Sequence, residues 1–357
     1  MRKFFSKLLG LLLVVALAAA LYMWLWTAPI NPRAYHPPAK PEMTGPLAPN
    51  QDLVGARILA KGSVPAPEDV AIGPDGDIFC SCGDGTIRRI KPSGRVEVLV
   101  NTEGRPLGMV FDAQGNLIVA DAVKGLLSVS RLGRVTVLAT EAGGAPIKLA
   151  DDLDIASDGK IYFSDASARF GIHGYLYDLL ESRPTGRLLV YDPAQGKAEV
   201  LLAGLSFADG VSLSHNQDYV LVTETYAYRI RRFWLRGPRA GTNDIFADNL
   251  PGFPDNISRG SGGRYWLACF TVRNDLLDWM HPHPWIKELL AKLPEFMWPR
   301  PAAYGLVLAL DQDGRIVRSL QDPAGQTVTN VTSVKEHQGR LYLGSLFQDQ
   351  VAVVKLQ

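Results

Sequence analysis

Four acidic residues occupy the same kind of place in four separate stretches: Glu68 in APEDVAI, Asp151 in LADDLDI, Asp209 in FADGVSL and Asp255 in PGFPDNIS. Each ends a loop-like run and precedes a short apolar segment. An acid there commonly caps its own turn, and any one of the four can be read that way. Four in matching positions raise a second reading. If the fold gathers them, their charges repel, and the arrangement is costly unless a cation sits among them. Oxygen donors with no His or Cys beside them suit a hard ion, Ca2+ before Mg2+.

Whether the acids meet depends on the elements that carry them. The stretches DVAIGPDGDIFCSC, GMVFDAQGNLIVAD, DLDIASDGKIYFSD and GVSLSHNQDYVLVTE share one plan: a short apolar strand, a turn rich in Asp, Gly or Asn, then a second alternating strand. NISRGSGGRYWLAC and TSVKEHQGRLYLGS add a fifth and a sixth copy, and most copies are followed by another hairpin such as GTIRRIKPSGRVEVLV or GLVLALDQDGRIVRSL. Turn residues and period-2 alternation indicate strands. Six four-stranded meanders predict an all-β fold, a six-bladed β-propeller. Residues 56–60 resemble an outer strand leading into a new blade, so they are expected to complete blade six, with QVAVVKL as its third strand. Such closure leaves no exposed sheet edge.

With the strands of a blade labelled A to D from the axis outward, the D-to-A links and the B–C loops fall on one face of the disk. Glu68, Asp151, Asp209 and Asp255 lie at D-to-A links, just before the innermost strands, and should converge near the axis on that face. Arg105, in GRPLG at the entrance to blade two, is placed to grip a substrate carbonyl or carboxylate; a plain surface arginine is the competing reading. Glu224 and Asp165 end B strands on the same side and could line the pocket or cap turns.

The chain has 357 residues, 47% of them apolar, and a net charge of +1. That balance, with no basic stripe and no nucleic-acid motif, argues against nucleic acid as a partner. Cys80, Cys82 and Cys269 are too few and badly spaced for a disulfide framework and read as packing residues. Residues 8–26, LLGLLLVVALAAALYMWLW, carry no charge and are long enough as a helix to cross a bilayer. Arg2, Lys3 and Lys7 precede the run, which predicts a single-pass protein with its N-terminus cytoplasmic and the rest of the chain on the periplasmic or extracytoplasmic side. A cleaved leader competes with a retained anchor; the apolar run continues through Trp26 and favours the anchor. The expected organisation is residues 1–7 cytoplasmic, 8–27 a transmembrane signal anchor, 28–50 a linker with seven of the 24 prolines, and 51–357 the propeller.

The motifs GRPLGMVF, GLLSV, YFSDAS, YVLVTET, RIRRFWL, PGFPDNI, HPWIKELL, SLQDPAG and EHQGRLYLGS, in this order, resemble the six-bladed calcium propellers. That group includes gluconolactonases, paraoxonases, diisopropyl fluorophosphatase and the strictosidine-synthase-like proteins; the likeness runs from about residue 51 to the C-terminus and is greatest to a membrane-anchored branch with arylesterase activity. The resemblance implies a catalytic calcium held by Glu68, Asp151, Asp209 and Asp255, with Asn256 a neutral ligand and Asp255 the base that deprotonates water. Asp69 and Asp152 match positions that hold a second, structural calcium in the paraoxonases. Members usually carry Asn where this chain has Asp151 and Asp209, so the ion would be held more tightly, one acid would stay protonated, or the preferred ion differs.

The activity implied is calcium-dependent hydrolysis of a small, lipophilic ester or lactone. A non-catalytic scaffold and a strictosidine-type lyase are the alternatives; Thr332 stands where the lyase depends on a Glu, and a hydroxyl is no proton acceptor at neutral pH. Two insertions, residues 168–186 and 274–301, interrupt B–C loops. The second is helical by pattern, with Trp285, Ile286, Leu289, Leu290 and Leu293 as one apolar stripe, and three readings stay open for it: rim packing, a lid, or contact with the bilayer.

Overall fold

Alternating apolar residues punctuated by Gly- and Asp-rich turns give strands from residue 57 to residue 355, arranged as six four-stranded antiparallel sheets. In blade one, for instance, Gly76 adopts φ 78°, a value that glycine tolerates best, in the turn between Val70–Ile72 and Ile78–Ser81. The computed structural model describes residues 2–356. These fall into two units, one of residues 38–175, 184–274 and 301 onward, the other of residues up to 37, 176–183 and 275–300.

The larger unit is the six-bladed propeller expected. Its inner strands are Val70–Ile72, Pro106–Phe111, Ala150–Ile155, Ala208–Leu213, Gly252–Arg259 and Val331–His337. Each touches the inner strands of both neighbouring blades, closing a ring. The sixth sheet is completed by the first strand of the chain: Arg57–Leu59 pairs antiparallel with Val351–Lys355, Ile58 opposite Ala352. The core lies in the wedges between blades. Trp266 and Val307 of blade five pack on Val334 and Leu341 of blade six, and Phe163 and Leu189 of blade three on Ile118 and Leu126 of blade two. Each fully buried aliphatic side chain of this kind stabilises by about 1.5–3 kcal/mol. Cys80 and Cys82 belong to such a wedge, and all three cysteines are buried and free.

Residues 38–50, read from composition as part of a spacer, are tied to the propeller. Ser319 Oγ donates to the Pro46 carbonyl (2.7 Å), Gln321 Nε2 to the Leu47 carbonyl (3.0 Å), and Arg273 Nη2 to the Pro38 carbonyl (2.7 Å).

The smaller unit joins the N-terminal segment to both insertions. The amide of Asn31 donates to Glu181 Oε1 (2.7 Å), the amide of Arg33 to the Glu181 carbonyl (2.8 Å) and that of Tyr35 to the His281 carbonyl (3.0 Å). The second insertion forms helices Asp275–Met280 and Pro284–Ala291, the latter opening on a proline at its first position. Its buried face is not the expected stripe. Trp285 and Leu289 are exposed, whereas Lys287 is fully buried and donates to the Arg33 carbonyl (2.6 Å) and Ser182 Oγ (2.9 Å). Burial pulls the Lys287 ammonium down to about 8, with Glu181 opposing.

A helix, Arg2–Leu25, stands where the anchor is expected, and Leu9, Leu13, Leu17 and Leu21 on it are exposed. The side chains of Arg2, Lys3 and Trp24, on which the topology and the interfacial belt partly rest, lie outside the described residues. Among the described residues no helix is long and apolar enough to cross a membrane, so the fold does not support the transmembrane anchor expected at residues 8–27.

Candidate metal centre

The inner strands do not begin as regular strands. In blades three, four and five the pairing of strands A and B shifts register between Ala150 and Leu153, between Ala208 and Val211, and between Pro254 and Ile257. Asp151, Asp209 and Asp255 fall inside these irregularities, where a bulge re-aims side chains. Sequence places them just before their strands; the structure puts them within the first residues of Ala150–Ile155, Ala208–Leu213 and Gly252–Arg259, and only Glu68 precedes its strand.

Hydroxyl groups one residue before the end of strand B hold these irregular starts. Ser164 Oγ accepts from the Asp152 amide (3.0 Å) and donates to the Asp209 carbonyl of the next blade (2.6 Å). Thr223 Oγ1 repeats the clamp, accepting from the Gly210 amide (2.7 Å) and donating to the Asp255 carbonyl (3.0 Å). In blade one, where the pairing is regular, Ser81 ends its strand and its Oγ accepts from the Asp69 amide (2.9 Å). The approach is close: a Cβ on Gly210 would stand 2.4 Å from the Asp255 carbonyl oxygen. Sequence reading overlooked these hydroxyls; their signal is a Ser or Thr in the next-to-last place of strand B, as in FSD and VTE.

The four acids share one electrostatic neighbourhood. Glu68, Asp151, Asp209 and Asp255 are buried, yet each keeps 5–7% of its surface open. Burial pushes the Glu68 carboxyl up to about 7, with Arg105 opposing and Asp69 adding to the rise. Burial likewise carries Asp151 and Asp255 well above the carboxylate range, and both are raised further by Asp209 and Glu68. Asp209 is raised by burial and by Glu68, while the Thr225 hydroxyl, 2.9 Å from its Oδ2, opposes. Groups from blades one, three, four and five therefore feel one another's charge.

Arg105 supplies the counter-charge, its Nη2 3.3 Å from Glu68 Oε2. Thr332 takes the corresponding position in blade six and donates to the Glu68 carbonyl (2.7 Å). Asp209 Oδ1 and Asn256 Oδ1 are buried with no hydrogen-bond partner. Unpartnered buried oxygens on an all-oxygen donor set fit a hard divalent cation. Among the described residues, however, no group of three or more His, Cys, Asp or Glu side chains is placed so that it could hold a metal ion as the side chains stand.

Asp69 and Asp152 each follow one of these acids by one residue, Asp69 just before its strand and Asp152 within it. Asp69 Oδ2 accepts from the Met109 amide and Asp152 Oδ2 from the Val211 amide, each at 2.8 Å and each from another blade's inner strand. Glu224 and Asp165 are committed to structure. Glu224 accepts from the Ser206 amide (2.9 Å), Arg229 and Arg231, which hold its carboxyl below its ordinary value despite burial; Asp165 accepts from the Leu149 amide (2.8 Å) and Arg187. A surface groove of 760 Å3 lined by Lys61, Pro65, Phe347 and Gln348 contains none of the predicted site residues.

Comparison with known proteins agrees with this architecture. The strictosidine synthase family model matches residues 151–238, and the model for the N-terminal part of strictosidine synthase-like proteins matches residues 45–90. The chain is 37% identical to adipocyte plasma membrane-associated protein of Rattus norvegicus, over 97% of this chain and 99% of that one. It is 36% identical to strictosidine synthase-like 6 of Arabidopsis thaliana, over 86% and 83% of the two chains. Among solved structures, a gluconolactonase of Xanthomonas campestris superposes with a TM-score of 0.62 at 18% identity, covering 93% of this chain and 97% of that one. A calcium-binding protein, regucalcin of Agrobacterium tumefaciens, gives 0.61 at 14% identity, covering 84% and 93%.

Proposed function

This chain belongs to the strictosidine synthase-like family, and from that premise we propose that it is a calcium-dependent hydrolase of esters or lactones tethered to a membrane. The observation that carries the reading is the gathering of Glu68, Asp151, Asp209 and Asp255 in one buried neighbourhood, with Asp209 Oδ1 and Asn256 Oδ1 left without partners. Those five residues would hold the ion. Calcium bound there would polarise a carbonyl and stabilise charge developing on its oxygen.

The chain's own residues do the rest. Asp255 accepts the proton of the attacking water at its carboxylate, with its basicity lowered by the ion that carboxylate would hold, so that a neighbouring acid shares the task. Arg105, drawn from Glu68, binds the substrate's carbonyl or carboxylate oxygen. Thr332 in blade six offers no carboxylate, which separates this site from a strictosidine-type lyase. The gluconolactonase with the same fold makes lactones a natural substrate class to test.

The tether is the helix Arg2–Leu25, whose exposed Leu9, Leu13, Leu17 and Leu21 would associate with a bilayer. Tyr22 on that helix donates to the Lys292 carbonyl (3.3 Å). Trp279, Trp285 and Phe296 of the same small unit are 57%, 63% and 75% exposed and would lie against lipid, favouring lipophilic substrates.

The test is hydrolysis of phenyl acetate and a lactone panel by the full chain in detergent, with calcium and with EDTA. Calcium-dependent turnover is expected. A metal-loaded chain that turns over none of them supports instead a non-catalytic scaffold, a reading favoured by the Arg105–Glu68 pair, which already places a cation at the centre.

A further inference from the structure

Asp69 and Asp152 carry charge that the outer acids do not explain. Both are fully buried in the ring of inner strands, and Asp154, 7% exposed, lies two residues beyond Asp152. One oxygen of each pair member is taken by a backbone amide of another blade, from Met109 and Val211, while Asp69 Oδ1 and Asp152 Oδ1 have no hydrogen-bond partner. A buried carboxylate pair with one free oxygen each needs a positive charge nearby.

Blade six supplies it. Lys335 lies three residues beyond Thr332 on the inner strand Val331–His337, as Asp154 lies three beyond Asp151. Its Nζ stands 3.5 Å from Asp69 Oδ2. Burial alone would pull its ammonium down, and Asp69, Asp152 and Asp154 overcome that pull. Asp154 is further paired with Arg259 Nη2 (3.0 Å) and so shares its charge between Arg259 and Lys335.

We infer that Lys335 is a built-in cation of the inner acid pair: its ammonium neutralises Asp69 and Asp152 where the resemblance puts a second calcium, and this chain takes no second metal. A divalent ion bridging the two carboxylates would meet that ammonium at close range and be repelled by it. The three groups come from blades one, three and six: Lys335 pairs directly with Asp69 of the neighbouring blade, and its charge reaches Asp152 of blade three. The inference is independent of catalysis and of the outer acids.

The experiment counts metal. Wild-type and Lys335→Met chains, full length in detergent, are dialysed against millimolar calcium, and bound calcium per chain is measured by elemental analysis. Lys335→Met is expected to bind one calcium more than wild type, and its melting temperature, lowered in EDTA, to recover in calcium. Equal counts in the two chains overturn the inference. If Lys335→Met does not fold, Asp69→Asn decides: an unchanged count relative to wild type supports the inference, and the loss of one calcium overturns it. A wild type with no calcium beside a Lys335→Met chain with one keeps this inference and removes the metal centre of the proposed function.

Discussion

Two sets of carboxylates lie near each other in the same blades and behave in opposite ways. Asp121, Asp165 and Glu224 end B strands; Glu68, Asp151, Asp209 and Asp255 open A strands. The first set is saturated with donors. Asp121 Oδ1 accepts from the amides of Arg105 (3.0 Å), Val123 (2.9 Å) and Lys124 (2.9 Å), and its Oδ2 from Thr102 (2.7 Å). Glu224 stays ionised though fully buried, because Arg229, Arg231 and the Ser206 amide surround it. The second set has mostly one another for company, and burial drives its protons on. A buried acid satisfied by the fold is architecture; a buried acid left short of donors is available to a ligand.

The contrast can be broken experimentally. The largest effect is expected for Asp255→Asn: hydrolysis of an aryl ester should fall by about 10^2–10^4-fold while the melting temperature holds or rises. A drop in melting temperature would move Asp255 into the architectural set. Next comes Glu224→Gln, which removes the carboxylate that Arg229 and Arg231 share, each 25% exposed. It should cost about 3 kcal/mol in urea unfolding without changing calcium affinity.

The two sets also differ in the sign of their pH dependence. Between the ordinary carboxylate value of 4.5 and about 7, the folded metal-free chain keeps a proton on Glu68 that the unfolded chain has released. Stability should therefore fall as pH rises through that window, by on the order of 3 kcal/mol, and Glu68→Gln or added calcium should flatten the fall. Glu224 is depressed, so its contribution is present above the ordinary carboxylate value and is lost as pH drops through its lowered one. Denaturant titrations of the two variants across pH 3–8 would separate them. The smallest effect is expected for Arg105→Met. Removing the competing cation should tighten calcium binding by about fivefold, roughly 1 kcal/mol, while weakening substrate binding; looser calcium binding would mean that Arg105 helps to organise the site.

Blade count, ring closure and the placing of Glu68, Asp151, Asp209 and Asp255 at the starts of inner strands were legible in the sequence because period-2 alternation, Asp-Gly turns and copy-to-copy alignment are local or repeating signals. The bulges were not, since Asp151 and Asp209 look the same in sequence before a strand or within one. Nor was Lys335: its partners Asp69 and Asp152 lie far away in the chain, and only ring closure brings blade six to blade one. The helix Pro284–Ala291 shows a third limit. Periodicity marks an apolar face, but Lys287 is the buried residue because the Arg33 carbonyl and Ser182 Oγ accept its protons.

The pairing of Arg57–Leu59 with Val351–Lys355 has a consequence for biogenesis. The strand made first must wait for the one made last. At ribosomal speeds of about 5–20 residues per second, the intervening stretch takes roughly 15–60 s to emerge. Throughout that interval an unpaired β-edge is open to any passing extended peptide. The nascent protein is thus most vulnerable to misassembly before Val351–Lys355 emerges, and a holdase shielding the early strand would raise yield more than one acting on the finished ring.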